Sequence, residues 1–494
     1  MTGFPFGLPG LAAFGVFLSA LLILGYRARG ARRDESLSDF YLAGRTLGPV
    51  VLLATLYATQ YSGNSLIGYP GETYRIGFAW IMSVGFMMAI VVMYLALAPR
   101  LFPLAARHGY ITPGDWIDHR YRTPALTWTA NVLWVVAISN YLLAQLMAMG
   151  HVTEGITGGA VPYWVGVVVF TLVIIVYESL GGMRAVVWTD ALQGLLLIVG
   201  LIGVLAVILP TPAHLRELTE WVVVNQPSKA AVPAWDVIVN WASTIVLIGL
   251  SGSVYPQAIQ RIFAARDLRA LKRSICQMAF LPLVTMVPVV LIGIYALQHL
   301  SGLSGITADQ VMPLILREWT GGSAMLFGLS LAVLIAVLAA IMSSADSVLL
   351  SLSSILAKDV LGSTVLKGAP ESRLTQVGKR LSWGIVTVLV VIAVVPRITL
   401  WGLIEFKMEV LAQIWPAFVL GLHWRRLTGG AVLVAMLIGV AVSIGLTATG
   451  HPRVWGVHAG VVGLAANLAA CALLSTRWAI RLPARGRASM ASAD

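Results

Sequence analysis

Ala339-Ala340-Ile341-Met342-Ser343-Ser344-Ala345-Asp346-Ser347 lies inside a run from about residue 326 to 356 that is otherwise mostly Leu, Ile, Val and Ala. At 100° per residue, Ala340, Ser343, Ser344, Ser347, Ser351 and Ser354 fall within a sector about 100° wide. Asp346 and Ser353 sit just beside it. One buried-type helix therefore carries a stripe of hydroxyls, with a small Ala where another backbone can approach. In hydrocarbon such a stripe must face a partner helix, a cavity or an ion, because unpaired polar groups there cost several kcal/mol. Single serines often bond back to their own helix carbonyls. Six aligned positions beside a carboxylate point instead to a site, since an intramembrane Asp costs roughly 2.5–3.5 kcal/mol at a helix centre.

The rest of the chain supplies the membrane. Of 494 residues, 58% are hydrophobic and 11% are charged, where a soluble domain carries about 25% charge. Counting apolar runs of about 17–25 residues predicts an all-α polytopic protein of about thirteen spans. The net charge of +12 is topology and not a nucleic-acid surface. Of the 33 Lys and Arg, 26 fall in the segments after odd-numbered spans and six on the opposite side, with Lys407 within a span. That asymmetry predicts a plasma-membrane protein with its N-terminus outside and its C-terminus in the cytoplasm. No basic residue precedes the first apolar run, so that run reads as a retained helix. Cys276 and Cys471 are far apart and indicate neither a disulfide framework nor a metal cluster.

Two spans are interrupted. The second reads Ala58-Thr59-Gln60-Tyr61-Ser62-Gly63-Asn64-Ser65 before Gly68-Tyr69-Pro70-Gly71. The seventh carries Asn240-Trp241, then Gly249, Ser251-Gly252-Ser253 and Tyr255-Pro256-Gln257. A broken helix frees backbone carbonyls and N–H groups at mid-membrane, which is tolerated only where they line a cavity or pack in protein. Paired interruptions five spans apart point to a 5+5 inverted repeat with a midplane site. The expected division is a first helix and loop (1–46), a first repeat (47–208), a second repeat (236–422), two peripheral helices (428–476) and a basic tail (477–494). Candidate substrate contacts are Gln60, Ser62, Asn140, Gln145, Asn240, Trp241 and Tyr255, whose neutral polar groups suit a carboxylate or amide. A helix start is expected within the polar connection from His108 to Arg120, and a polar helix between Pro210 and Trp235. Glu405, Lys407 and Glu409 read as side chains snorkelling near the outer interface.

Several pieces resemble the sodium:solute symporter family: the entry from Asp39 to Gly48, Gly181-Gly182-Met183 through Thr189-Asp190, Gln260-Arg261 with Ala264-Ala265-Arg266, and Ser343-Ser344. The segment from Ser62 to Tyr74 looks closer to pantothenate- and monocarboxylate-type members. Gln60, where proline-type members carry Asp, and Glu178 before the Gly pair depart from the pattern. The resemblance implies the leucine-transporter fold and Na⁺ as coupling ion, held by the carbonyls of Ala58, Tyr61 and Ala340 and the hydroxyls of Ser343 and Ser344. It further implies a possible second cation or proton site at Asp190, Asp346 and Ser347. Three arrangements fit there: a second Na⁺ bridging two carboxylates, a shared proton, or Arg184 or another base neutralising Asp190 and leaving Asp346 facing cytoplasmic water. The expected function is sodium-driven import of a small organic anion or zwitterion, with lipid, sodium and solute as the only partners. A membrane-embedded solute sensor with a separate signalling partner is the alternative, and no His-Glu-x-x-His or Gly-x-Ser-x-Gly motif suggests an enzyme.

Overall fold

Pro49 at the first position of its helix, Pro256 at the first of another and glycines at the turns set where this chain breaks. The computed structural model describes residues 5–395 and 398–481. Its principal helices are α1 (Gly7–Gly30), α2 (Pro49–Gln60), α3 (Tyr69–Ile76), α4 (Met82–His108), α5 (Pro124–Thr157), α6 (Tyr163–Gly181), α7 (Met183–Ile208) and α8 (Trp235–Gly252). They continue with α9 (Pro256–Ala264), α10 (Leu281–His299), α11 (Ala324–Ser354), α12 (Glu371–Ala393), α13 (Leu400–Ala412), α14 (Gly429–Ala448) and α15 (Ala459–Arg481). Among the described residues, ten helices are long and apolar enough to cross a membrane. The difference from thirteen has a local cause. The second span is split, so that its outer half runs on toward the third, and α13 has only 13 residues. Most of the basic tail lies outside the described residues.

Both predicted interruptions are present. α2 ends where Tyr61 turns extended (φ −101°, ψ 112°), and the chain re-enters helix at Asn64. Gly63 fits there because an added Cβ would lie 2.7 Å from Ala148 Cβ and 3.0 Å from Ile341. The seventh span breaks at Ser253–Tyr255 between α8 and α9. The two broken spans are tied together at their basic ends, where Leu47 N–H donates to the Ala264 carbonyl (3.1 Å) and Arg266 N–H to that of Leu47 (2.9 Å). Gly182, at φ +58°, makes the tight turn between α6 and α7. The capping box at Thr112 and Asp115 and a helix at Pro212–Asn225 stand where the sequence places them.

α11 is buried on every side from Val333 to Ser354, apart from Ile335, because α2, α5, α6, α7, α9 and α12 surround it. On the face opposite the basic one, the connection between α10 and α11 folds back over the broken span. Asp309 accepts from Arg75 Nη2 (3.1 Å) and from the Leu400 N–H (2.9 Å), while Arg75 also pairs with Glu72 (2.7 Å). One carboxylate thus clasps the end of α3, the connection and the start of α13. Burial pushes the Asp309 carboxyl up to about 7, against the opposing pull of Arg75 and the Leu400 N–H. The folded protein then holds this proton up to about pH 7 while the unfolded chain releases it near 3.8. Its contribution to stability is full below about pH 4 and lost as pH rises through 7. The unfolding temperature of the wild type should fall between pH 5 and pH 8 relative to Asp309→Asn. Parallel pH profiles for the two proteins would remove Asp309 from the balance.

Candidate cation and substrate site

The break in α2 leaves the carbonyls of Ala58, Thr59, Gln60 and Tyr61 without a backbone hydrogen bond among the described residues. Gln145 on α5 holds the break open by accepting from the Gly63 N–H (2.8 Å). Its amide nitrogen donates to the Tyr141 carbonyl at 3.4 Å, so this side chain positions the backbone and is not turned to a ligand.

The serine stripe on α11 divides in two. At its basic end Ser351 donates to Gln260 Oε1 (2.5 Å) and Gln260 Nε2 to Ser354 (2.8 Å), which fastens α9 to α11. Ser353 and Ser354 also bond to their own helix carbonyls. Toward the middle the pattern changes. Ser343 gives its proton to Asp190 Oδ1 (2.5 Å), so its lone pairs remain for another partner. The Ser344 hydroxyl is fully buried and has no hydrogen-bond partner. Buried polar atoms are rarely left so.

Beside them lies a buried network. Arg261 from α9 pairs with Asp190 from α7 (2.9 Å), with neither side chain exposed. The guanidinium also donates to Thr55 (2.7 Å), to Ser347 (2.6 Å) and to the Gln257 carbonyl (3.0 Å), and Thr55 in turn donates to Asp190. Asp346 accepts from Tyr177 (2.7 Å) and Ser347 (3.2 Å). Asp190, Ser347 and Asp346 are therefore brought together, with a guanidinium already between Asp190 and Ser347. Arg184 is not that base, for it forms a bidentate pair with Asp39 at 2.6 and 2.7 Å. Nor does Asp346 face water; it is wholly buried. Two carboxylates and one guanidinium leave one negative charge in a dry site, which calls for one monovalent cation or a proton.

A second space lies between the two interruptions, a tight cavity of about 20 Å³. Gln60, Ser62 and Tyr255 line it as expected from the sequence. Asn140, Asn240 and Trp241 do not. Asn240 accepts instead from Arg453 (3.0 Å), near the start of α8 and about 20 Å of helix away from the break. The sequence reading missed Asn64, Tyr141 and, above all, Lys407. Lys407 does not snorkel. It is 2% exposed, with Nζ 3.5 Å from the Tyr141 ring centroid and 4.9 Å from that of Tyr255. Its neighbours on α13 turn elsewhere: Glu405 to Arg453, and Glu409 toward Thr447 (3.3 Å) and Ser443 (3.5 Å) on α14. Glu178 is buried with neither oxygen hydrogen-bonded and touches neither site's polar network.

The pattern of the Sodium:solute symporter family matches residues 40–439. The chain belongs to the sodium:solute symporter family. It is 27% identical over 491 residues to the sodium/pantothenate symporter of Escherichia coli, covering 96% of each chain. It is 28% identical over 441 residues to the high-affinity proline transporter PutP of Bacillus subtilis, covering 86% of this chain and 89% of that one. Among solved structures, a Na⁺-coupled sialic acid symporter in a substrate-bound outward-open state superposes with a TM-score of 0.78 at 16% identity, covering 95% of this chain and 98% of that one. MhsT in complex with L-phenylalanine gives 0.51 at 14% identity, covering 86% and 98%. The symporter is thus a multi-pass membrane transporter with a leucine-transporter-like fold, and not an enzyme.

Proposed function

We propose that the protein imports a small organic anion or zwitterion with Na⁺ by alternating access. The repeats would be 47–208 and 236–422, flanked by 1–46, 428–476 and the tail 477–494, with the N-terminus outside and the C-terminus cytoplasmic. The carrying observation is that α2, with unbonded carbonyls at its break, packs on α11, which carries an orphaned, buried Ser344 hydroxyl and a Ser343 hydroxyl whose proton is committed to Asp190. Na⁺ is a hard cation that takes oxygen ligands. Ala58, Tyr61 and Ala340 would supply carbonyls, and Ser343 and Ser344 hydroxyls. Because Arg261 occupies the cation position between Asp190 and Ser347, the reading is of one coupling ion and not two. The solute would sit in the cavity against Gln60, Ser62 and Tyr255. Relatives named for pantothenate and for proline support an anion or zwitterion as the solute class, and transport over the sensing alternative.

Uptake of labelled solutes into proteoliposomes tests the reading. An inward Na⁺ gradient should drive accumulation that a K⁺ gradient of equal size does not, and dissipating the Na⁺ gradient should stop it. Accumulation indifferent to Na⁺ would defeat it.

A further inference from the structure

Lys407 is the observation that carries the reading of the cavity further. A buried ammonium needs an anion, because its own desolvation outweighs what neighbouring dipoles return. Among the described residues no carboxylate lies within ion-pair distance of it. The two acids on its own helix are held elsewhere, Glu405 by Arg453 and Glu409 by hydroxyls of α14. What Lys407 does meet is aromatic. Tyr141 and Tyr255 stack at 5.6 Å with their planes 19° apart and present their faces to Nζ. Ring faces soften the burial of a cation but do not neutralise it.

The remaining wall is informative through its charge. No Asp or Glu lines the cavity. Asn64 has both amide atoms buried and without partners, an unclaimed donor and acceptor within the same space. Met87, Ile90, Ile248 and Ile404 make the other side apolar. An ammonium on the solute would find no carboxylate there and would be repelled by Lys407, whereas a carboxylate would complete a pair the protein leaves open. We propose that Lys407 binds the carboxylate of the transported solute, and that this solute is a monocarboxylate without an ammonium group. This rests on the symport reading and narrows it from anion or zwitterion to anion. Gln60 and Asn64 then hydrogen-bond the polar part of the solute's body, and the isoleucines take its alkyl part.

Thermal unfolding of the full-length protein in detergent tests this, in NaCl and in KCl, with pantothenate, pyruvate and lactate as carboxylates, proline and alanine as zwitterions, and lactamide as the uncharged control. Carboxylates should stabilise the wild type in NaCl, and the zwitterions and lactamide should not. Lys407→Met, with Lys407→Gln as a second variant should the first not fold, should weaken the carboxylate response by roughly 10- to 150-fold. The stabilisation by Na⁺ alone should persist in both variants, since that site lies elsewhere. Undiminished carboxylate binding in the variants, equal stabilisation by proline or alanine, or no carboxylate effect on the wild type would each overturn the proposal. A carboxylate effect that depends on Lys407 but ignores Na⁺ would uphold it and refute sodium coupling instead.

Discussion

Arg261→Ala is expected to abolish sodium-driven uptake and to lower the unfolding temperature sharply. Removing one partner of a buried ion pair costs about 3–5 kcal/mol, because the charge left behind has no water to turn to. Here the cost is sharpened by geometry: Arg261 is the base that separates Asp190 from Asp346 across Ser347, so its loss leaves two carboxylates facing one another. The same side chain ties α9 to α2 through Thr55 and to α11 through Ser347. Replacing both members with apolar residues, as in Arg261→Met with Asp190→Leu, should recover most of the stability and none of the transport. Thermal unfolding read beside uptake separates the two effects. A single Ala variant that keeps both near wild type would show that the pair is dispensable and that the charge count offered here is wrong.

Asp346→Asn carries the second large effect. With Arg261 matched to Asp190, Asp346 is the unbalanced charge, and it stands one helical turn from Ser343 on the same helix, about 5–6 Å between Cβ atoms. At that range a unit charge is worth on the order of 3 kcal/mol to a cation at an effective dielectric near 20, roughly 150-fold in affinity. The sodium concentration for half-maximal uptake should rise by about that factor. The steepness of uptake against sodium should stay near one in both proteins, since a single ion is involved. A wild-type Hill coefficient clearly above one that falls in Asp346→Asn would restore a second, bridging Na⁺. A pH dependence of uptake that only the variant loses would assign the balancing charge to a proton.

The α11 stripe and the broken spans were legible because their signals are local. Hydroxyls at helical spacing, and Gly, Ser and Pro in the middle of apolar runs, have few other physical meanings in a membrane. Arg261 was not legible in this way. It lies just past an apolar run, where basic residues normally mark the membrane boundary, and only the inward tuck of α9 after the break at Ser253–Tyr255 buries it. Its one sequence signal was the pairing with Gln260, which proves to grip the lower serines. Lys407 was hidden by its neighbours. Three ionisable residues in five suggest an interface, yet Glu405 and Glu409 share one face and Lys407 the other, a phase difference that separates the cavity from the surroundings. Asn240 and Trp241 misled for the opposite reason. They are polar and on the right helix, but the cavity forms at the break and not at the helix start.

Initial uptake rates against sodium concentration for the wild type and Ser344→Ala test most directly whether Na⁺ lies between the α2 break and Ser343–Ser344. The Ser344 hydroxyl makes no hydrogen bond of ordinary geometry, so Ser344→Ala should perturb the fold little and delete chiefly an oxygen ligand. The sodium concentration for half-maximal uptake should rise by roughly 5- to 150-fold, the equivalent of about 1–3 kcal/mol. The apparent affinity for the solute should weaken with it at low sodium, because the two affinities are linked. A Ser344→Ala protein with the sodium dependence of the wild type would contradict the account.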